Sequence, residues 1–209
     1  HVAVLGTPFG MKLYTEGVLV IDITDVESEN GKTSPGEAAG IKKGDYIISA
    51  EGKNIHTNEE LSAAIEASGG NRIKLLIKRN GKKKTVYITP VTSKETGSLK
   101  IGLWVRDSSA GIGTMTFYSP YTGVVCGLGH GVCDEDTGEL LSLETGELVT
   151  AEIISLEKGA SGAPGQLKGK FTGNSIGAID KNCENGVYSI LKGKINPSNL
   201  TEIALKQEI

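Results

Sequence analysis

The protein has 209 residues, of which 29 are glycine, 6 are proline and 38% are hydrophobic. This composition supplies enough apolar material for the packed cores of one or two domains, and it excludes the collagen-like and the intrinsically disordered classes. A net charge of -3 and a low aromatic content of 5% argue against a nucleic-acid partner.

The sequence predicts neither a membrane span nor a metal site. No apolar run approaches the roughly 18 residues that a membrane span requires, and the first residues do not have the order of a signal peptide. The chain begins at His1 rather than Met, so a native N-terminal membrane anchor stays possible. The cysteines at 126, 133 and 183 form neither a CxxC pair nor an even set. We therefore predict no metal and no other cofactor.

Residues 17–90 have the pattern of one small α+β unit. The β-branched run over residues 17–23 predicts a buried strand, and a polar stretch over residues 25–40 follows it. The tripeptide Lys43-Gly44-Asp45 then predicts a tight turn into a second strand over residues 46–52. We expect these strands to share one sheet.

A helix and a hairpin complete this unit. The helix is predicted to begin at Thr57 or Asn58 and to end at Gly69-Gly70. Its apolar residues recur at the spacing i, i+3, i+4 and are Leu61, Ala64 and Ile65. Asn80-Gly81 stands between two alternating apolar runs, which predicts a β-hairpin.

The order of strand, SPGEAAGIKKGDYIISAEGKNI, helix and hairpin resembles a PDZ domain of the kind found in bacterial proteases, over residues 10–92. The resemblance implies that a peptide adds beside an exposed strand while the neighbouring helix supplies side-chain pockets. It places the groove between residues 17–22 and the helix of residues 58–68. The predicted peptide-binding residues are Gly17, Val18, Leu19, Val20, Ile21, Leu61 and Ile65. Alternatively, this unit only packs against its neighbour.

From residue 98 onwards the sequence predicts a β-rich, barrel-like domain, because short apolar runs alternate with turn signals and helix patterns are nearly absent. The predicted strands, interrupted by glycine, cover residues 101–105, 114–118, 124–128, 149–155, 175–179 and 187–191. Residues 200–209 predict one turn of helix or a short strand.

Two residues of this second region are candidates for catalysis. His130 lies in GLGHGVCD directly after an apolar strand, where its glycine neighbours leave the imidazole exposed. A general base also needs an orienting acid, for which Asp134 and Asp136 are close in sequence. Ser161 lies in KGASGAPG, which resembles the loop around the nucleophile of trypsin-like proteases. An incidental histidine and an incidental serine in a glycine-rich turn remain the alternatives.

Other polar groups have simpler interpretations. We predict that Arg106 and Asp107 form a structural ion pair or anchor a turn rather than hold a substrate carboxylate. The basic run over residues 78–84 is predicted to be a solvated hairpin tip. The cysteines on either side of His130 are predicted to be small apolar residues rather than nucleophiles.

Three segments together, IGLWVRDSSAGIGTMTFYSP, GLGHGVCD and EKGASGAPGQLKGKF, resemble the stage IV sporulation protein B family of serine peptidases. The resemblance implies a PDZ-like α+β domain followed, over residues 98–209, by part of a trypsin-like peptidase domain. It places His130 on the catalytic histidine. It also implies cleavage of a regulatory protein of an intramembrane protease complex, in the space between two membranes of a developing spore, with the PDZ domain controlling cleavage, including self-cleavage.

The chain departs from this family at the nucleophile. The family's GMSGSP segment does not occur in the 79 residues after His130. The resemblance therefore places the catalytic Asp and Ser beyond Ile209, so that Ser161 is not the nucleophile and this piece alone is inactive. Two alternatives stay open, namely a non-catalytic PDZ adaptor and a self-contained peptidase that uses Ser161 with Asp134 or Asp136.

Overall fold

A computed structural model describes residues 2–162, 165–192 and 201–203 of the protein. It is mostly β, with 59% strand and 7% helix, which confirms the predicted fold class. The helices are α1 (Pro35–Ala38) and α2 (Asn58–Ala67). The strands are β1 (Val2–Val4), β2 (Pro8–Ile23), β3 (Val26–Ser28), β4 (Gly31–Thr33), β5 (Tyr46–Ala50), β6 (Lys53–Asn54), β7 (Ile73–Arg79), β8 (Lys82–Ile88), β9 (Val91–Thr92), β10 (Leu99–Lys100), β11 (Leu103–Tyr118), β12 (Val124–Gly127), β13 (Leu143–Glu157), β14 (Gln166–Cys183), β15 (Gly186–Leu191) and β16 (Thr201–Ile203).

The chain divides into two compact units. The helical unit consists of Thr15–Asp107 and Glu135–Glu139, and the all-β unit consists of His1–Tyr14, Ser108–Asp134 and Leu140–Ile209. These limits differ from the predicted domains, 10–92 and 98–209, because the long strands β2 and β11 each contribute residues to both units. Neither described helix is long and apolar enough to cross a membrane.

In the helical unit, strands β2, β5, β7 and β8 are hydrogen-bonded neighbours in that order. The predicted hairpin is confirmed, since β7 pairs with β8 and Arg79 stands opposite Lys82. Between them, Asn80 and Gly81 have φ angles of 49° and 74°. Both angles lie in the left-handed region that two-residue hairpin turns require, which explains the Asn-Gly pair.

Helix α2 begins where the sequence predicts. Thr57 is its N-cap, and its hydroxyl accepts a hydrogen bond from the backbone N–H of Glu60 at 3.2 Å. The Glu60 carboxylate accepts in return from the N–H of Thr57 at 3.3 Å, which completes a capping box. The sequence analysis missed α1 and the β3–β4 hairpin in the polar stretch over residues 25–40. Pro35 at the start of α1 was the signal for that helix.

An apolar cluster that includes residues of the sheet and of α2 forms the core of the helical unit, which also contains a buried ion pair. Asp45 is fully buried and binds Arg79 through two hydrogen bonds of 2.6 and 2.7 Å. That hydrogen bonding raises the pKa of the Arg79 guanidinium. The cluster consists of Val18, Val20, Ile41, Ile47, Ala50, Ile55, Leu61, Ile65, Ile73, Leu75, Ile77, Val86, Ile88 and Ile101.

The all-β unit is organised around a closed path of paired strands. Its strand order is β16, β1, β11, β12, β15, β14, β13, β2, and an additional pairing between β2 and β11 closes the last six positions into a ring. Such closure is the arrangement expected of a barrel. Of the tail over residues 200–209, Thr201–Ile203 form β16 beside β1, and the remainder lies outside the described residues.

Strands β11, β13 and β14 of the all-β unit are longer than predicted, since glycines do not interrupt them. Strand β11 runs without a break through Gly111 and Gly113. Neighbouring side chains explain two of the glycines, because a Cβ at Gly127 would lie 2.5 Å from Cζ of the buried Phe9 ring and a Cβ at Gly113 would lie 2.4 Å from Cδ2 of Leu128. Glycine within a strand here marks close packing rather than a turn.

Candidate functional site

The helical unit contains a cavity of about 460 Å³. It lies between one face of α2 and the segment over residues 99–105, which follows β9 and leads into β11. The lining residues are Thr24, Asp25, Val26, Glu27, Asn58, Leu61, Ser62, Ile65, Glu66, Ser93, Glu95, Thr96, Leu99, Lys100, Ile101, Gly102, Leu103, Trp104 and Val105. A cavity of this volume is in the usual range for ligand sites.

The helix wall combines an apolar base with one unusual polar atom. Leu61 and Ile65 are buried and one turn apart, so that they present one continuous apolar face. Asn58, in the first turn, has a buried side-chain oxygen, Oδ1, with no hydrogen-bond partner among the described residues. A buried acceptor without a donor is costly, which makes it a natural point of contact for a ligand N–H or O–H.

The opposite wall is a strand that belongs to the sheet. Leu103 and Val105 pack against the apolar cluster of the helical unit. The carbonyl oxygen of Gly102 accepts a hydrogen bond from the N–H of Thr24 at 2.9 Å. Gly102 has a φ angle of 70°, and a Cβ there would collide with the carbonyl oxygen of Thr24. Glycine is therefore required where the chain enters this wall.

Two carboxylates fasten the strand wall to the helix, one near each end of α2. Asp107 Oδ2 accepts a hydrogen bond from the backbone N–H of Asn58 at 3.0 Å. Glu66 Oε1 accepts one from the N–H of Leu99 at 2.8 Å. Both bonds join the two walls, so they fix the position of the strand wall relative to the helix.

The residues predicted to bind peptide divide into two groups. Leu61 and Ile65 line the cavity, whereas the run Gly17–Ile21 does not. Val18, Leu19 and Val20 are fully buried in the sheet. That part of β2 pairs with β5 on one side, through Val18 opposite Ile47. On its other side are the contacts with residues 102 and 107, so the strand beside the cavity is β11.

Sequence reasoning missed the strand wall because residues 101–105 were assigned to the second domain. The signal that could have found it is Ile101-Gly102-Leu103, an apolar–glycine–apolar step directly before a strand. A glycine there marks a close approach of two backbones, which is the geometry of a groove entrance.

His130 lies in the all-β unit, in the segment that follows β12, and its ring is exposed. Its Nδ1 is 2.9 Å from the carbonyl oxygen of Gly131. A carbonyl oxygen only accepts hydrogen bonds, so in the neutral ring Nδ1 carries the proton and Nε2 keeps its lone pair. This is the tautomer in which Nε2 can take a proton from a nucleophile.

The side chain of Asn182 holds the segment that carries His130, and sequence reasoning missed it. Its Oδ1 accepts a hydrogen bond from the N–H of Val132 at 2.8 Å, and its Nδ2 donates to the carbonyl oxygen of Val132 at 2.9 Å. Nδ2 also donates to the carbonyl oxygen of Leu141 at 3.0 Å. One amide therefore fixes both ends of the loop between His130 and β13.

The other candidate groups have surroundings that differ from those of His130. Ser161 is exposed in the turn between β13 and β14, and no hydrogen bond joins it to His130 among the residues that the structure describes. Asp134 is buried. Asp136 forms an ion pair with Arg106, with 2.7 Å between its Oδ2 and an arginine nitrogen. Arg106 is thus paired with Asp136, and Asp107 accepts a hydrogen bond from the N–H of Asn58.

Of the three cysteines, Cys126 has the burial of a small packing residue. Cys126 is buried in β12, and this burial raises the pKa of its thiol. The thiol is therefore protonated at neutral pH and is a poor nucleophile. Cys133 is exposed and Cys183 is half-buried. No group of three or more His, Cys, Asp or Glu residues suited to a metal ion occurs in the described part of the chain.

Two family models match the chain. Residues 97–209 match the family described as SpoIVB peptidase S55, and residues 4–89 match the PDZ domain. A solved structure of the PDZ domain of an SdrC-like protein from Listeria monocytogenes is similar over 43% of this chain and 87% of its own, with 20% identity and a TM-score of 0.35.

The curated relatives are similar over shorter stretches. The zinc metalloprotease RasP of Geobacillus kaustophilus is 32% identical over 101 residues, which cover 37% of this chain and 24% of that protein. The serine protease HTRA1 of Xenopus laevis is 37% identical over 57 residues, which cover 27% of this chain and 12% of that protein. The chain thus spans a quarter or less of the length of these two relatives.

Proposed function

Because the chain belongs to the SpoIVB peptidase S55 family, we propose that it acts in a sporulation-type serine endopeptidase whose PDZ domain binds an extended peptide in the cavity beside α2. The observation that carries the peptide-binding part is the cavity between a helix and a strand, inside the unit that contains most of the PDZ match. An extended peptide there lies beside the wall strand and places side chains against α2.

His130 is the general base in this proposal. Nε2 of the neutral ring accepts the proton of a serine hydroxyl as the serine oxygen attacks the peptide carbonyl, and then returns it to the leaving amine. The hydrogen bond between Nδ1 and the carbonyl oxygen of Gly131 supports this role, because it selects the required tautomer. Asn182 keeps the adjoining backbone in place.

Ser161 is not the nucleophile in this proposal. Its place in an exposed hairpin turn supports that assignment, since a serine is activated only when a base lies within hydrogen-bond reach. The substrate is a regulatory protein of an intramembrane protease complex, cleaved between the two membranes of a developing spore. Occupancy of the PDZ cavity controls that cleavage, including self-cleavage, and the 209-residue chain alone does not cleave.

Fluorophosphonate labelling tests the catalytic part. We expect no adduct on Ser161 in the purified 209-residue chain, measured by intact mass and peptide mapping. An adduct on Ser161 would contradict the assignment and favour a self-contained peptidase. In the natural protein, His130→Ala should abolish substrate cleavage while the matched variant His56→Ala keeps it, because His56 is exposed at the entry to α2.

A non-catalytic PDZ adaptor is the second candidate. The cavity is built from residues of the helical unit alone, which favours a binding role that needs nothing from the all-β unit. If this second candidate is correct, the His130→Ala variant of the natural protein binds peptide with unchanged affinity. Substrate cleavage measured in the presence of that variant is also unchanged. Loss of cleavage in that variant would reject the adaptor.

A further inference from the structure

We propose that the cavity beside α2 selects peptides in which an apolar anchor is flanked by lysine or arginine side chains. This inference rests on the proposed function, since it names the class of peptide that the same site takes. It follows from three features of the lining, namely its charge, its apolar base and one buried acceptor.

The rim of the cavity is acidic. Four acidic residues are among those that line it, Asp25, Glu27, Glu66 and Glu95, against the single basic residue Lys100. None of the four carboxylates forms an ion pair within the described part of the helical unit, so their charges are left to attract a ligand.

Other carboxylates of the helical unit are neutralised by basic side chains. Glu16 pairs with Lys78 at 2.6 Å, Asp45 with Arg79 at 2.6 Å, and Asp136 with Arg106 at 2.7 Å. The lining of the cavity differs from these pairs, because its four acidic residues face a single lysine, and it is therefore a region of negative potential. Such a region attracts cationic ligands and repels anionic ones.

The base of the cavity is apolar. Val26, Leu61, Ile65 and Ile101 line it and are each buried, with at most 7% of their surface exposed. An aliphatic side chain of a ligand that enters this space leaves water, which supplies most of the binding free energy. Charged flanking residues then decide which apolar peptides bind.

Asn58 adds a requirement at one end of α2. Its buried Oδ1 has no donor among the described residues, so a ligand N–H or O–H that reaches it gains a hydrogen bond. A ligand carboxylate at the same place would bring two hydrogen-bond acceptors into contact with no donor between them. Both the buried Asn58 oxygen and the acidic rim therefore favour a ligand that donates hydrogen bonds over a ligand that carries a carboxylate.

Trp104 makes the test direct, because it is the single tryptophan of the chain, lines the cavity and is 62% exposed. Three peptides with blocked ends share one Val-Ile-Val anchor and carry Lys, Ser or Glu pairs on both sides. We measure binding to the 209-residue chain by Trp104 fluorescence and by isothermal titration calorimetry.

We expect the Lys-flanked peptide to bind about tenfold more tightly than the Glu-flanked one at low salt, with the Ser-flanked peptide between them, because several exposed charge pairs contribute together. The ratio should fall towards one at about 1 M salt, where screening reaches roughly 3 Å.

A pair of variants separates the rim from the net charge of the chain. Glu27→Gln/Glu95→Gln removes two rim carboxylates and should lower the Lys-over-Glu ratio about threefold. The control Glu29→Gln/Glu37→Gln removes the same charge from exposed residues of the helical unit outside the cavity and should leave the ratio unchanged.

The outcomes distinguish this inference from the proposed function. Equal affinity for all three peptides overturns the preference for basic residues and leaves peptide binding intact. Equal loss of preference in both double variants also overturns it, because net charge would then explain the ratio. If none of the peptides binds in either measurement, the proposed peptide site itself fails.

Discussion

The two units of the protein use glycine in opposite ways. In the helical unit, most glycines have positive φ angles and stand in turns, as Gly44 and Gly81 do. In the all-β unit, many stand inside strands with ordinary φ angles, as Gly113 and Gly127 do, where a Cβ would collide with a neighbouring side chain. The turn glycines allow backbone conformations with positive φ, and the strand glycines leave space for a neighbouring side chain.

This difference determines how each unit tolerates change. A turn glycine is costly to replace because of its own conformation, whatever surrounds it. A strand glycine is costly because of its neighbour, so that a second change can compensate for the first. The stability of the helical unit also depends on the buried ion pair between Asp45 and Arg79. Four measurements test this comparison.

Asp45→Asn should have the largest effect. The substitution removes the charge that faces Arg79 from a fully buried position, and we expect a loss of about 3 kcal/mol in the free energy of unfolding. Urea unfolding followed by Trp104 fluorescence measures it. The control Glu16→Gln breaks a more exposed pair with Lys78 and should cost less than about 1 kcal/mol. Equal losses would show that burial of the pair is unimportant.

Gly127→Ala should cost about 2 kcal/mol, because the new methyl group would lie 2.5 Å from the buried ring of Phe9. Hydrogen exchange across β11 and β12 measures the loss in the all-β unit. Combining it with Phe9→Leu should recover part of the protection. Gly6→Ala is the control, since a Cβ there meets nothing within 4 Å. No recovery in the double variant would argue against the packing explanation.

Gly81→Ala should cost about 1 kcal/mol, since its φ of 74° places an alanine Cβ against its own backbone. Nothing else lies within 4 Å of that Cβ, so no second change should restore the loss. Gly81→Asn is the matched variant and should cost less, because asparagine adopts this conformation more readily. Trp104 fluorescence during urea unfolding compares them, and an equal cost would point to a contact rather than to φ.

The smallest effect concerns Cys126. Its pKa is raised in the folded protein by burial, so the stabilisation it provides is complete below the unfolded value near 9.0 and is lost as the pH rises through the folded value. We expect iodoacetamide at about pH 8 to modify Cys133 first and Cys126 last. Mass mapping over time measures the order, and early modification of Cys126 would contradict its burial.

The sequence predicted the helical unit better than the all-β unit, and the same contrast explains why. Turn glycines come with local partners, such as Lys43-Gly44-Asp45 or Asn80-Gly81, and a capping residue such as Thr57 precedes its helix. Local chemistry therefore predicted these elements. Glycine at 127 is explained by Phe9, more than a hundred residues away in the chain, and glycine at 113 by the side chains of Leu128, Met11 and Phe9. The sequence analysis interpreted such glycines as interruptions of the strand.

The sequence predicted the helix side of the candidate site but not its strand side, because only the helix side follows from a local pattern. Leu61 and Ile65 follow from helix periodicity, and both line the cavity. The strand wall over residues 101–105 could not be assigned to the same unit, because it follows the hairpin and joins the sheet through a contact between Gly102 and Thr24. Asn182 could not be found either, since its role depends on a loop fifty residues earlier.

The late position of the strand wall limits how this binding module can be exchanged between proteins. The segment that matches the PDZ domain ends at residue 89, whereas Leu99–Val105 form one side of the cavity. Recombination that transfers only residues 4–89 would carry the helix wall and leave the strand wall of the recipient in place. A chimera made in this way would inherit its ligand preference from two parents, one for each side of the bound peptide.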